Sequence, residues 1–190
     1  MKTNQIHGAI LLSLSFTGSL CGVTIFDEPT NGELSNSGLT PTLVTLQPGL
    51  NTILGTIGNN GQTGATDGTD GDFFTFTIIS GFEVSSIVTT RSTPGFQSFV
   101  GYNDSSTITE TTTAGLAGGN LFDVDGGLNP TSITPIPTTL GAGDHSFVFQ
   151  EIANQVVNYS VTFNLVAVPE PASVSLLAIA LSSLITRRRR

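Results

Sequence analysis

The stretch NYSVTFNL, residues 158–165, alternates between polar and apolar side chains without a break. Tyr159, Val161, Phe163 and Leu165 fall on one side of an extended chain, and Asn158, Ser160, Thr162 and Asn164 on the other. A period of two marks a strand with one face on a core and one toward water, because successive side chains of a pleated backbone point to opposite faces. The stretch is therefore expected to be a core strand of a sheet.

Working outward, the same texture recurs. Residues 145–151 place Phe147 and Phe149 on one face, and residues 72–79 place Phe74, Phe76 and Ile78 opposite Thr75 and Thr77. Shorter runs are expected as strands at 23–26, 42–46, 51–57 and 82–90. Residues 97–102 and 106–109 are expected to pair around Asn103-Asp104. Gly, Asn, Asp, Ser and Pro clusters separate the runs, and residues 58–71 form a loop whose only apolar side chain is Ala65. Between 111 and 137 the pattern thins, with strand texture only at Leu121-Phe122 and at 133–136. No internal stretch carries helical periodicity. Threonine occurs 28 times, glycine 22 times and tryptophan not at all. This composition and the turn spacing predict an all-β fold, a single antiparallel β-sandwich.

Both ends of the chain differ from this body. At the N-terminus, Lys2 precedes an apolar run at 9–20, and Ser19-Leu20-Cys21 offers small residues at a cleavage site, so residues 1–21 read as a signal peptide. Lipidation of Cys21 is the other reading, but Leu20 stands where a small residue is expected before a lipidated cysteine, which favours ordinary cleavage. At the other end, Pro169-Glu170-Pro171 breaks regular structure. Residues 172–186 then carry no charge, and Arg187, Arg188, Arg189 and Arg190 close the chain. Fifteen residues of helix span about 22 Å, short of a ~30 Å hydrocarbon core, but snorkelling arginines and bilayer thinning tolerate the deficit. The arginines set a cytoplasmic side. Residues 22–167 are left as one β-sandwich domain, large enough to bury a core.

The order Pro-Glu-Pro, apolar helix, arginine cluster over 168–190 resembles the PEP-CTERM sorting signal of Gram-negative bacteria. The resemblance implies an exported protein, held transiently in the inner membrane by a transmembrane helix. It implies recognition by an exosortase, an integral-membrane transpeptidase-like enzyme, then removal of the tail and passage to the cell surface or extracellular matrix. In the body, Pro48-Gly49-Leu50-Asn51, the run Thr69-Asp70-Gly71-Asp72-Phe73-Phe74-Thr75-Phe76 and the run Gly141-Ala142-Gly143-Asp144-His145-Ser146-Phe147 look like bacterial pre-peptidase C-terminal-type domains. That second likeness implies a jelly-roll-like accessory β-sandwich of a secreted protein.

Charge narrows the function classes. Between residues 22 and 168, thirteen carboxylates face one base, Arg91, a net charge of −12. Such a surface repels phosphates and anionic lipid, so nucleic-acid binding is excluded. With Cys21 as the sole cysteine, no internal disulfide can form and the core itself must hold the domain.

Catalysis is poorly supplied. His145 is the only histidine beyond the signal region, no G-x-S-x-G elbow accompanies it, and it is expected to be a polar strand-edge residue beside a turn. No enzyme is expected. Paired carboxylates could act on glycosides without histidine, but the absence of tryptophan removes a usual sugar platform. Calcium is the stronger site reading. Asp67, Asp70 and Asp72 fall within six residues of a glycine-rich loop, where hard oxygen ligands can converge; Asp123 and Asp125 are a thinner version. The competing reading is a solvated turn in which each Asp bonds its own backbone. The expected function is structural or adhesive within an extracellular polysaccharide layer; the alternative is a carbohydrate-binding or carbohydrate-acting module.

Overall fold

The computed structural model describes residues 22–58, 70–91, 98–109, 115–122, 135–151 and 156–168. Among them are nine strands and one helical turn: β1 (Val23–Asp27), α1 (Glu28–Asn31), β2 (Thr42–Leu43), β3 (Gly49–Gly58), β4 (Gly71–Ile78), β5 (Phe82–Arg91), β6 (Ser98–Asn103), β7 (Gly118–Phe122), β8 (Gly143–Gln150) and β9 (Val156–Ala167). One sheet has the order β1-β3-β9-β5, the other β2-β4-β8-β6-β7. The fold is all-β, as the alternation predicts.

The stretch 158–165 lies in β9, an interior strand paired with β3 on one side and β5 on the other. Tyr159, Val161, Phe163 and Leu165 are all buried, the face that the pattern assigns inward. They meet Phe74, Phe76 and Ile78 of β4 and Phe147 and Phe149 of β8 in one core between the two sheets. Aromatic rings form its centre. Phe163 packs edge-on against Phe76 at 5.0 Å and Phe147 at 5.3 Å between centroids, geometry favoured by ring quadrupoles.

The expectation of a purely antiparallel sandwich is corrected at the start of the chain. β1 pairs with β3 in parallel, and β2 with β4. Connectivity is the cause. After β1 the chain crosses to the second sheet for β2, returns for β3 and crosses again for β4, so each of the first two strands lies beside the one two places later. Such crossovers let neighbours run in the same direction, which a hairpin cannot do. β2 is also shorter than the expected 42–46, although the Val44 N–H still bonds the Thr75 carbonyl.

A second correction concerns residues 106–109, which form bends and not a strand. Ser105 and Asn103 side chains both donate to the Thr107 carbonyl, which turns the chain. The Ile108 N–H then bonds the Gly38 carbonyl. β6 pairs instead with β7 and β8. Ile108 and Leu116 thereby cover Phe73 and Val148 on the outer face of the second sheet. That face is consequently apolar at two positions where simple alternation would place polar residues. Of the expected strand at 133–136, Pro135 and Ile136 are irregular backbone, yet Ile136 is buried in the main core.

Candidate metal centre

Two neighbouring acids, Glu28 and Glu33, meet a third from far along the chain, Asp72, beside the first sheet. The sequence Asp27-Glu28-Pro29-Thr30-Asn31-Gly32 makes a single helical turn. Pro29 suits its first turn, where no N–H partner is needed. Gly32, at φ 90°, ends it in a conformation that other residues rarely adopt. The turn aims Glu28 inward. Parallel pairing of β1 with β3 stops at Asp27 and Leu54, and Glu28 Oε2 then takes the N–H of Thr56 at 2.6 Å. Its Oε1 accepts from the Leu34 N–H at 3.2 Å.

Asp72 reaches the same place from the second sheet. It shares the inward face of β4 with Phe74, Phe76 and Ile78 and is fully buried. Opposite it in β8 is Phe149, on which the Tyr159 ring stacks at 4.5 Å. Tyr159 can lie there because its register partner in β3 is Gly55, where a Cβ would stand 2.5 Å from the ring. The phenol is thereby set beside the Asp72 carboxylate as an electrostatic neighbour. Its hydroxyl is a hydrogen-bonding partner that favours the charged carboxylate, but this single neutral donor falls outside strict hydrogen-bond geometry at both Asp72 oxygens. A buried carboxylate in that condition is costly, and it calls for a counter-charge or a proton.

One carboxylate oxygen each of Glu28, Glu33 and Asp72 lies within 4.8 Å of the others. Glu33 is exposed and leaves the cluster open to solvent on its side. Asp70 adds charge at the edge. It is buried, its Oδ1 has no partner, and its backbone is clasped to Gly58 through two hydrogen bonds.

Burial, with the Glu33 charge adding to it, pushes the Asp70 carboxyl up to about 7. Burial likewise pushes Glu28 up to about 7, against the pull of its two backbone donors. The Asp72 carboxyl is raised well above the usual range by burial first and by Glu28 next. The Tyr159 phenol is raised by its own burial and then by Asp72. Each shift says that negative charge here lacks compensation. A divalent cation would supply it, and an all-oxygen donor set would favour a hard ion of the calcium or magnesium type.

Of the expected ligands Asp67, Asp70 and Asp72, the described ones are Asp70 and Asp72, and Asp72 is the one in the convergent group. Asp70 flanks it, and Asp67 lies outside the described residues, as do Asp123 and Asp125. Neither Asp70 nor Asp72 is a solvated turn residue, since both are buried. Glu28 and Glu33 escaped sequence reasoning because nothing local ties them to residue 72. One signal was readable: Asp72 falls in the inward register of Phe74, Phe76 and Ile78, and a carboxylate on a core face needs a partner.

His145 is also corrected. It is buried in β8, the middle strand of its sheet, and not at an edge. Its Nε2 lies 2.8 Å from the Gly141 carbonyl, which can only accept, so the partner assigns the proton to Nε2. Nδ1 lies 2.9 Å from the Tyr102 hydroxyl and 3.3 Å from an Asp104 carboxylate oxygen. Both nitrogens serve to hold the end of β8 to its neighbours.

The motif Pro169, Glu170, Pro171 and the arginines 187–190 lie outside the described residues, as do residues 1–21. Among the described residues no helix is long and apolar enough to cross a membrane. No protein-family model, curated protein or solved structure matches this chain.

Proposed function

We propose that this chain is an exported, non-enzymatic surface or extracellular-matrix protein whose jelly-roll-like β-sandwich is completed by a bound calcium ion. The observation that carries the ion is the convergence of Glu28, Glu33 and Asp72, with both Asp72 oxygens buried and the neutral Tyr159 phenol as their side-chain hydrogen-bonding neighbour. Bound there, the cation supplies charge compensation and ties α1 of the first sheet to β4 of the second. Glu28 and Asp72 hold it from inside, Glu33 from the solvent side, and water or backbone carbonyls complete the six to eight oxygens that calcium takes. Export rests on the signal-peptide pattern at 1–21 and on the PEP-CTERM-like tail, with an exosortase-type membrane enzyme as processing partner. A role as a structural or adhesive element in exopolysaccharide fits a domain of net charge −12, which a divalent ion can also link to acidic polymers.

The experiment has two readouts on protein extracted from the cell surface. Intact-mass measurement is expected to find a chain lacking Arg187 to Arg190; a full-length C-terminus refutes sorting by tail removal. Extracellular modules bind calcium at about 10⁻⁴–10⁻³ M, so about 5 mM calcium against EDTA is expected to raise the melting temperature by a few degrees. Equal melting points in both solutions refute the ion.

A further inference from the structure

A second feature lies near the chain's exit from the fold, away from the acids. Leu43, Leu46, Pro48, Ile79, Phe82 and Leu165 line an open apolar groove of about 390 Å³. Leu43 and Ile79 are 71% and 65% exposed at its rim, large values for aliphatic side chains in a water-facing position. The volume falls in the range of ligand-binding clefts, roughly 300–1,000 Å³. β9 ends beside this groove. Ala167 pairs with Phe82, and the Val168 N–H donates to the Gly81 carbonyl at 2.8 Å, between Ile79 and Phe82 in sequence. The polypeptide therefore leaves the domain at the rim.

The sequence beyond Val168 is complementary to the groove. After Pro169-Glu170-Pro171 come fifteen uncharged residues rich in Leu, Ile and Ala, and then four arginines. Three residues span at most about 10 Å in any conformation, so the apolar stretch begins within a short tether of the groove. A short tether gives an effective concentration on the order of millimolar, enough for weak apolar contact to be occupied without any special affinity. The arginines are opposite in charge to the domain, whose net charge is −12.

We propose that the groove is the docking site of this chain's own stretch 172–186, seating a few of its apolar side chains out of water until a membrane takes that stretch over. The inference does not depend on the cation, and it needs only the tail's sequence, not its processing.

Hydrogen–deuterium exchange on the full chain, without detergent, tests it. Amides of 172–186 are expected to exchange at least tenfold more slowly than in the groove variants Ile79→Asp and Leu43→Asp, while strands β4 and β9 keep their protection in all three. Ile79→Leu is expected to retain the wild-type pattern. Independently, a Cys21→Ser chain carrying Leu43→Cys together with one cysteine introduced in turn at positions 174–178 is expected to form an intramolecular disulfide. Absence of both protection and cross-link overturns the proposal. So does protection that grows with protein concentration, which assigns the groove to a second copy. Protection of residues 9–20 in place of 172–186 overturns it as well, assigning the groove to the other apolar segment.

Discussion

Asp72 occupies a position where an apolar residue would suit the packing, and the consequence can be measured at that one residue. Replacing it by Asn keeps the shape and removes the charge that burial opposes. Asp72→Asn is expected to raise the melting temperature in EDTA at pH 8 and to abolish the calcium response, a combination that a merely structural aspartate would not give. Thermal melts with and without calcium check both halves. Arg91 resolves the opposite charge in another way. It is the sole base between residues 22 and 168, and it is buried against Glu151 at 3.4 Å, whose Oε2 also accepts from the Ser98 hydroxyl at 2.6 Å. Removing one partner of such a pair strands the other in a low-dielectric interior, so Arg91 is a residue of the core and not of the surface. The charged groups exposed on the described domain are therefore all carboxylates.

At the scale of elements, β4, β8 and β9 carry the fold. Their inward aromatics meet across the two sheets, with Phe74, Phe76, Phe147 and Phe163 fully buried. Phe76→Ala and Phe163→Ala are each expected to cost about 3–5 kcal/mol, the range for emptying an aromatic site that cannot collapse. Urea unfolding checks this, and a loss below about 1 kcal/mol at both positions contradicts the packing described. β1 and β2 are weaker elements. Each is an outer strand held by a parallel pairing, and β2 contributes only two residues to it. A cation joining Glu28, just after β1, to Asp72 in β4 would stabilise an outer strand held by a single parallel pairing, and calcium should slow amide exchange most in β1 and α1.

At the scale of the whole molecule, stability depends on pH through the raised carboxyls. Glu28 and Asp70 go from ordinary values of 4.5 and 3.8 to about 7, and burial raises Asp72 well above its ordinary 3.8. A group whose pKa is higher folded than unfolded contributes stability that is complete below the unfolded value. That contribution is lost as pH rises through the folded value. The metal-free domain is therefore expected to lose stability steadily between about pH 4 and pH 7. Calcium competes with the same protons, so its stabilisation should be small at pH 5 and larger at pH 8. Melting curves at both pH values, with calcium and with EDTA, test the crossover. A metal-free domain that is more stable at pH 8 than at pH 5 would contradict the uncompensated cluster.

The all-β class, the inward faces of β4, β8 and β9 and the acidic character were all legible in the sequence, because they depend on local periodicity and on composition. A strand's two faces are set by the pleat of its own backbone, and NYSVTFNL carries that information alone. The tertiary structure alone decided which strands are neighbours, including the two parallel pairings that crossing between sheets imposes. It also decided that Ile108 and Leu116 cover the outer face over Phe73 and Val148. It alone brought Glu28 and Glu33 to Asp72, and the exit of β9 to an apolar groove. These are meetings of residues tens of positions apart. No local propensity encodes them, since they arise from register and connectivity, which are fixed only when the whole core has been packed.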